Sequence, residues 1–428
     1  MAEILVAGAG PAGCAAAAIL ARQGFRVTLA DPCPPVPPRI ESLPAAGQRL
    51  AAELGLAPAL SDAILGTAER IELAWRPDSE IRSFGHAGPL LLSRPRLHAA
   101  LRRAAFAAGA ELAAERIDRL EPGRAACRSG AVLVAAVILD ARGRAAGGLA
   151  PLGPPRAALP FRGNARREQP SMGLAALADG WLWWAAAAGE LQGLRVAAPG
   201  TLAGMDAAGR QGWLRASGHP ITETCETGTP VPAGLAAADP LAVPGIIRIG
   251  DAALARDPVG AHGLVHALRS AAQGAAAAAT WLRHPAERGA AEQFLRLRHR
   301  TDCTAARAAT AASHAEQGRH RTAFWQEMPA TPALPSSPPP GRLRLAAVAA
   351  QVPLMAGGHI QWARGMELRT DGTQLARLGP YPAAALLAAL AQPGTADEFA
   401  ARLARLGPSQ AAAPAVAELA RLGALVPA

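Results

Sequence analysis

The chain has no lysine. All 43 of its basic side chains are arginine, and arginine keeps its proton, so any reaction that needs a neutral side-chain amine is excluded. Aromatic residues are sparse, at 4% of 428 residues. No Arg-rich block is interleaved with them, so the formal net charge of +10 does not read as a nucleic-acid surface. An acidic protein partner is the expectation instead. The five cysteines, at 14, 33, 127, 225 and 303, form no Cys-x-x-Cys pair, which argues against a disulfide framework and against a zinc site or other metal centre. No signal-peptide pattern and no apolar run of twenty occur, so the expectation is a cytoplasmic protein with no membrane span.

What is present begins at once. Val6 to Gly13 reads Val-Ala-Gly-Ala-Gly-Pro-Ala-Gly, a Gly-x-Gly-x-x-Gly turn between an apolar strand, 4–7, and an Ala-rich helix, 14–22. Gly8 permits the tight turn, Gly10 lets a pyrophosphate approach the backbone, and Gly13 lets helix pack on strand. A second strand, 26–30, ends in Asp31, about twenty residues on, where a carboxylate holds an adenosine ribose hydroxyl. Strand, turn, helix, strand and terminal acid in this order predict dinucleotide binding.

A second element lies downstream. Gly245 to Ala276 holds a strand ending at Gly250-Asp251, a loop with Pro258, Gly260 and Gly263, and an Ala-rich helix. This resembles the second flavin fingerprint of FAD-dependent monooxygenases and halogenases. The resemblance implies FAD, with Asp251 on the ribityl chain and the loop and helix N-terminus against the pyrimidine edge of the isoalloxazine, where reduced flavin carries negative charge. The spacing Pro-x-Gly-x-x-Gly departs from that family's Pro-x-x-Gly-x-Gly. Val137 to Arg144 resembles its Asp-Ala-x-Gly-Arg strand end, and its Arg-x-x-Leu-x-x-x-Leu helix is matched after Ser93, which makes Arg94 or Arg96 a neighbour of the cofactor.

Three segments narrow the resemblance to the tryptophan-halogenase-like branch. Glu41-Ser42-Leu43-Pro44 is similar to its Gly-Glu-Ser-Leu-Pro-Pro segment, Gly180 to Ala186 to its Gly-Trp-x-Trp-x-Ile-Pro box, and Phe324-Trp325 to a Phe-Trp pair near the end of its catalytic body. The departures matter more than the matches. Halogenases of this type pass hypohalous acid to a lysine, and none exists here; the Ile-Pro of the box is Ala-Ala. With the Ala-Leu-Arg-Ser-Ala run at 267–271 and a small C-terminal module, the whole chain resembles the flavoprotein maturases of tryptophylquinone enzymes such as quinohemoprotein amine dehydrogenase. That resemblance implies hydroxylation of a tryptophan in a protein or peptide substrate, met alone or within a maturation complex.

The fold class expected is α/β: a Rossmann-like FAD-binding fold of the class A monooxygenase and halogenase type, with an α+β substrate subdomain. The FAD-binding body spans 1–328, and an antiparallel substrate sheet is drawn from about 60–92 and 151–240. The proline-rich segment 329–341 reads as an extended linker. Residues 342–428 read as a small winged-helix-like module, for peptide docking or as an oligomerisation or lid domain. Implied chemistry runs through a flavin C4a-hydroperoxide, with electrons from NAD(P)H or a separate flavin reductase. His262 and Asp257 are the ionisable groups best placed by sequence to accept the ring proton. Two other readings stay open: a hydroxylase or halogenase-like enzyme of a small aromatic metabolite, and a non-catalytic flavin-binding interaction protein.

Overall fold

A computed structural model describes residues 2–165, 169–218, 220–260, 262–328 and 338–428. Residues 329–337, most of the proline-rich segment, lie outside the described residues. The chain divides into two compact units, Met1–Ala278 with His299–Thr331, and Ala279–Arg298 with Pro332–Ala428. The division therefore falls within two long helices, Gly263–Arg283 and Arg288–Glu316, as well as at the spacer.

In the first unit, apolar strands build a parallel sheet in the order 246–248, 132–140, 2–7, 27–30, 111–113. The central strand, Ala2–Ala7, has parallel neighbours on both sides and is buried from Ile4 to Ala7, which is why it reads as a continuous apolar run. The helix after it, Pro11–Arg22, starts three residues earlier than the alanine run suggests, because Pro11 fits the first turn, where no N–H is needed.

The second sheet carries strands in the order 226–227, 157–164, 190–197, 180–187, 171–177, 70–74, 80–83. The expected antiparallel pairing holds except at one joint, where Ser171–Leu177 runs parallel to Arg70–Ala74. Register places Glu80, Leu73, Leu174, Trp183, Leu194 and Pro160 in one cross-strand row. Trp181 and Trp183 lie on that face, in a core shared with Phe324, Trp325 and Val259. Leu182 and Trp184 lie on the other face, over Leu202 and Leu214 of two short helices. The Trp-x-Trp-Trp box thus splits between two cores, as strand alternation requires.

The long helix Arg288–Glu316 is followed by a short one, Ala323–Gln326. In the second unit, a hairpin of Ala347–Ala356 and His359–Leu368 precedes helices at 383–389, 396–404 and 409–421, and Leu425–Pro427 pairs with Leu343–Leu345. Thr395 and Glu398 form a reciprocal capping box at the middle helix. The hairpin leans on residues 279–298: the Ile360 N–H donates to Thr280 Oγ1 at 2.8 Å, the Trp362 N–H donates to Glu287 at 3.0 Å, and His359 stacks on His284 at 4.5 Å. The module's partners are therefore in the helices before the spacer, where composition gave no sign of a boundary. Among the described residues no helix is long and apolar enough to cross a membrane, and none form a cluster able to hold a metal.

Candidate cofactor and substrate site

The first glycine turn sits at the C-terminal ends of parallel strands. Gly8 has φ +108°, and a Cβ there would lie 2.5 Å from the Ala141 carbonyl oxygen; a Cβ on Gly13 would lie 1.9 Å from the Gly8 oxygen. Both positions are closed to any side chain. At Gly10 a Cβ would meet nothing within 4 Å, so its backbone faces open space at the start of the helix. Asp31 closes the turn: its Oδ2 accepts the Ala9 N–H at 2.8 Å and its Oδ1 the Cys33 N–H at 2.6 Å. The geometry suits a pyrophosphate over Gly10 and a ribose beside Asp31.

The second element meets the first. Gly250 has φ +59°, and a Cβ there would come 2.7 Å from the Ala12 side chain of the first helix. Its N–H donates to Ser270 Oγ at 2.8 Å, so the serine of the 267–271 run anchors the strand end. Asp251 follows. Burial pushes its pKa up, Arg144 and Arg94 pull it down, and Glu41 pushes it up. Asp251 is half-buried, so its carboxylate can still be reached by a donor such as a hydroxyl. Arg94 stands at the head of the helix Arg94–Ala107, with Nε 3.4 Å from Glu41 Oε1. Arg96 is exposed. The Glu-Ser-Leu-Pro segment and Arg94 therefore converge on Asp251.

The loop that follows is shaped by Asp257, whose Oδ1 accepts the Val259 N–H at 2.9 Å. Burial pushes the Asp257 carboxyl up to about 6 against the Val259 hydrogen bond and the charges of Arg156 and Arg144. Pro258, Val259 and Gly260 form a 3-10 turn, and Gly263 opens the long helix. His262 is exposed; desolvation of its ring and then Arg256 lower its pKa, against a hydrogen bond with the Gly260 backbone. Asp257 points back into its own loop, and His262 stands at the surface, so the structure does not pair them.

Beside Val259 lies a cavity of about 210 Å³ whose apolar lining is Leu73, Trp75, Leu174 and Val259. Its remaining lining is polar: Ser313 and the charged Arg76, Asp78, Glu80, Arg82 and Glu316. The Trp75 indole donates to the Ser313 carbonyl at 2.8 Å and meets Trp325 edge-on at 5.3 Å.

Two arginines escaped the sequence reading. Arg144 donates to the carbonyls of Gly234 at 2.8 Å and Arg256 at 3.2 Å, tying the loop between Asp251 and Asp257 to the segment at Gly234. Its place in Asp140-Ala-x-Gly143-Arg144 was the available signal. Arg156, buried, pairs with Glu327 at 2.6 Å and lies 4.0 Å over the Phe324 ring. Partners 171 residues apart leave no local trace.

No family model and no curated protein matches the sequence. Solved structures do. The peptidyl tryptophan dihydroxylase QhpG, essential for tryptophylquinone cofactor biogenesis, shares 24% identity over 99% of both chains, with a TM-score of 0.77. The flavin-dependent halogenase CmlS shares 16% identity over 99% of this chain and 95% of its own, with a TM-score of 0.82. The myxobacterial chondrochloren halogenase CndH, a FAD-dependent halogenase, shares 20% over 78% and 86%, with a TM-score of 0.66. The fold is that of the FAD-dependent halogenases and monooxygenases. Both full-length likenesses include the C-terminal module, so the likeness alone does not separate hydroxylation from halogenation.

Proposed function

We propose that the protein is an FAD-dependent monooxygenase that hydroxylates an aromatic ring, namely a tryptophan side chain in a protein substrate on the way to a tryptophylquinone. The observation that carries the reading is the absence of lysine from a chain with this fold. A protonated guanidinium cannot be halogenated and hand the halogen on, which turns the choice towards the activity named for QhpG.

The residues fit the cofactor. Gly10 and the helix it opens would take the pyrophosphate, Asp31 the adenosine ribose, and Asp251 the ribityl hydroxyls. The Pro258–Gly260 turn and the backbone at Gly263 would face the flavin ring, with Arg94 beside it. When bound, FAD supplies activated oxygen; electrons come from NAD(P)H or a separate reductase in the cytoplasm. Asp257 positions Val259 at the cavity wall, and the cavity's apolar floor holds the ring and excludes water. His262, exposed on the loop that follows Val259 and with its pKa lowered, is the group proposed to carry the ring proton to solvent.

Reduced holoenzyme, O₂ and a tryptophan-containing peptide in bromide buffer test this. Mass spectrometry should find product heavier by oxygen alone, at a rate independent of bromide. His262→Ala should slow turnover with flavin content unchanged. A brominated product would overturn the reading.

A further inference from the structure

The strand Glu80–Ser83 ends the substrate sheet. It pairs with Arg70–Ala74, and among the described residues no strand pairs with its other edge. All four of its residues are exposed, and Ile81 is 67% exposed. Open edges are normally blunted by charge, because their free N–H and C=O groups recruit other chains. Here the two charges, Glu80 and Arg82, hydrogen-bond to each other and line the cavity. They leave the apolar residue between them bare on the opposite face. The edge is also held in place: Arg319 donates to the Arg76 and Pro77 carbonyls and to Ser79 Oγ, each at 3.3 Å. A fixed edge loses little order on pairing.

We propose that the substrate protein docks here as an added strand, with an extended segment pairing its main chain along Glu80–Ser83. A strand added to the sheet lies about 4.8 Å away and alternates its side chains between the two faces. One side chain then continues the row that runs through Glu80, Leu73 and Leu174, and enters the cavity beside Val259. Its neighbours in sequence pack by Ile81 on the other face. The chemistry of the segment follows. It is extended, apolar beside Ile81 and aromatic at the cavity. It is also close to neutral, because Arg76 and Arg82 face Asp78, Glu80 and Glu316. A free aromatic metabolite would use none of the edge. The identity of the aromatic residue rests on the monooxygenase reading; the strand addition does not.

The test uses oxidised holoenzyme and a nine-residue peptide of alternating threonine and valine around a central tryptophan, followed by amide hydrogen exchange. At millimolar peptide, exchange across residues 79–83 should slow at least tenfold, while a copy N-methylated at alternate amides gives no protection. Ile81→Pro should abolish protection while keeping FAD and the circular dichroism of the parent. Ile81→Asp should weaken binding at least tenfold and leaves every backbone N–H in place. The proposal is overturned by no protection at 79–83, by equal binding of the methylated peptide, or by N-acetyltryptophanamide binding as tightly as the peptide. Edge protection, with no oxygen transfer when the same peptide meets reduced holoenzyme and O₂, would sink the monooxygenase reading alone. Oxygen transfer without edge protection would sink the docking alone.

Discussion

The two glycine-bearing loops of the proposed cofactor site differ in what enforces their shape. In the first, the enforcing atoms are backbone: the Gly8 oxygen stands 1.9 Å from a Cβ on Gly13, and the Ala141 oxygen 2.5 Å from one on Gly8. In the second they are side chains. Ser270 holds Gly250, Asp257 holds Val259, and what a Cβ on Gly260 would meet is the His262 ring, 2.7 Å away. Backbone constraints have one solution, so the first loop keeps its spacing and is recognisable alone. Side-chain constraints have several, so the second loop can depart from its relatives' spacing and still fold against the first helix.

The largest effect should come from Gly13→Ala. A single methyl there collides with a carbonyl fixed in the strand-to-helix turn, and overpacking of a site that cannot yield costs about 3 kcal/mol or more. Thermal unfolding of the apoprotein should show a midpoint lower by roughly 6 °C or more. An unchanged midpoint would mean that the turn can give way, and that backbone sterics do not set the first loop.

Gly10→Val sharpens the comparison within the same loop. Nothing within 4 Å opposes a Cβ at Gly10, so the apoprotein should unfold at the parent's temperature. The branched side chain would stand where the pyrophosphate lies, and flavin affinity should fall at least a hundredfold, about 2.7 kcal/mol. A folded Gly10→Val protein that stays yellow would remove the first turn from the cofactor site.

The third variant, Asp257→Asn, probes the side-chain-built loop. Burial raises the Asp257 carboxyl from 3.8 to about 6. Its favourable contribution is therefore complete below about pH 4, where folded and unfolded states are both protonated, and is lost as pH rises through about 6. Asparagine keeps an acceptor for the Val259 N–H and never ionises. The apoprotein variant should gain roughly 2–3 kcal/mol on the parent at pH 8 and nothing at about pH 3. Equal stability curves across that range would show that the loop tolerates the charge.

The same contrast explains what could be read in advance. The Gly8–Gly13 turn, Asp31, the Gly250-Asp251 strand end and the Trp box are local patterns, each legible within a few residues of sequence. Spatial neighbours far apart in sequence were illegible. Glu41 with Arg94 and Asp251, Arg156 with Glu327, and Glu80 with Val259 at one cavity have no periodicity to announce them. Likewise nothing in residues 279–298 announces that Thr280, His284 and Glu287 serve the C-terminal hairpin.

The smallest effect belongs to Gly263→Ala. Gly263 opens the helix Gly263–Arg283, carries no positive φ, and has nothing within 4 Å of a Cβ. Alanine is the better helix former, so the apoprotein should gain at most about 0.5–1 kcal/mol. Its N–H remains, and the N–H is what the flavin would use at a helix N-terminus; affinity for FAD should stay within about threefold, under 1 kcal/mol. Fluorescence titration of the apoprotein with FAD measures this directly beside Gly10→Val. If Gly263→Ala loses flavin as completely as Gly10→Val, both loops are set by how closely the cofactor approaches the backbone. The distinction between a backbone-built and a side-chain-built loop would then fail.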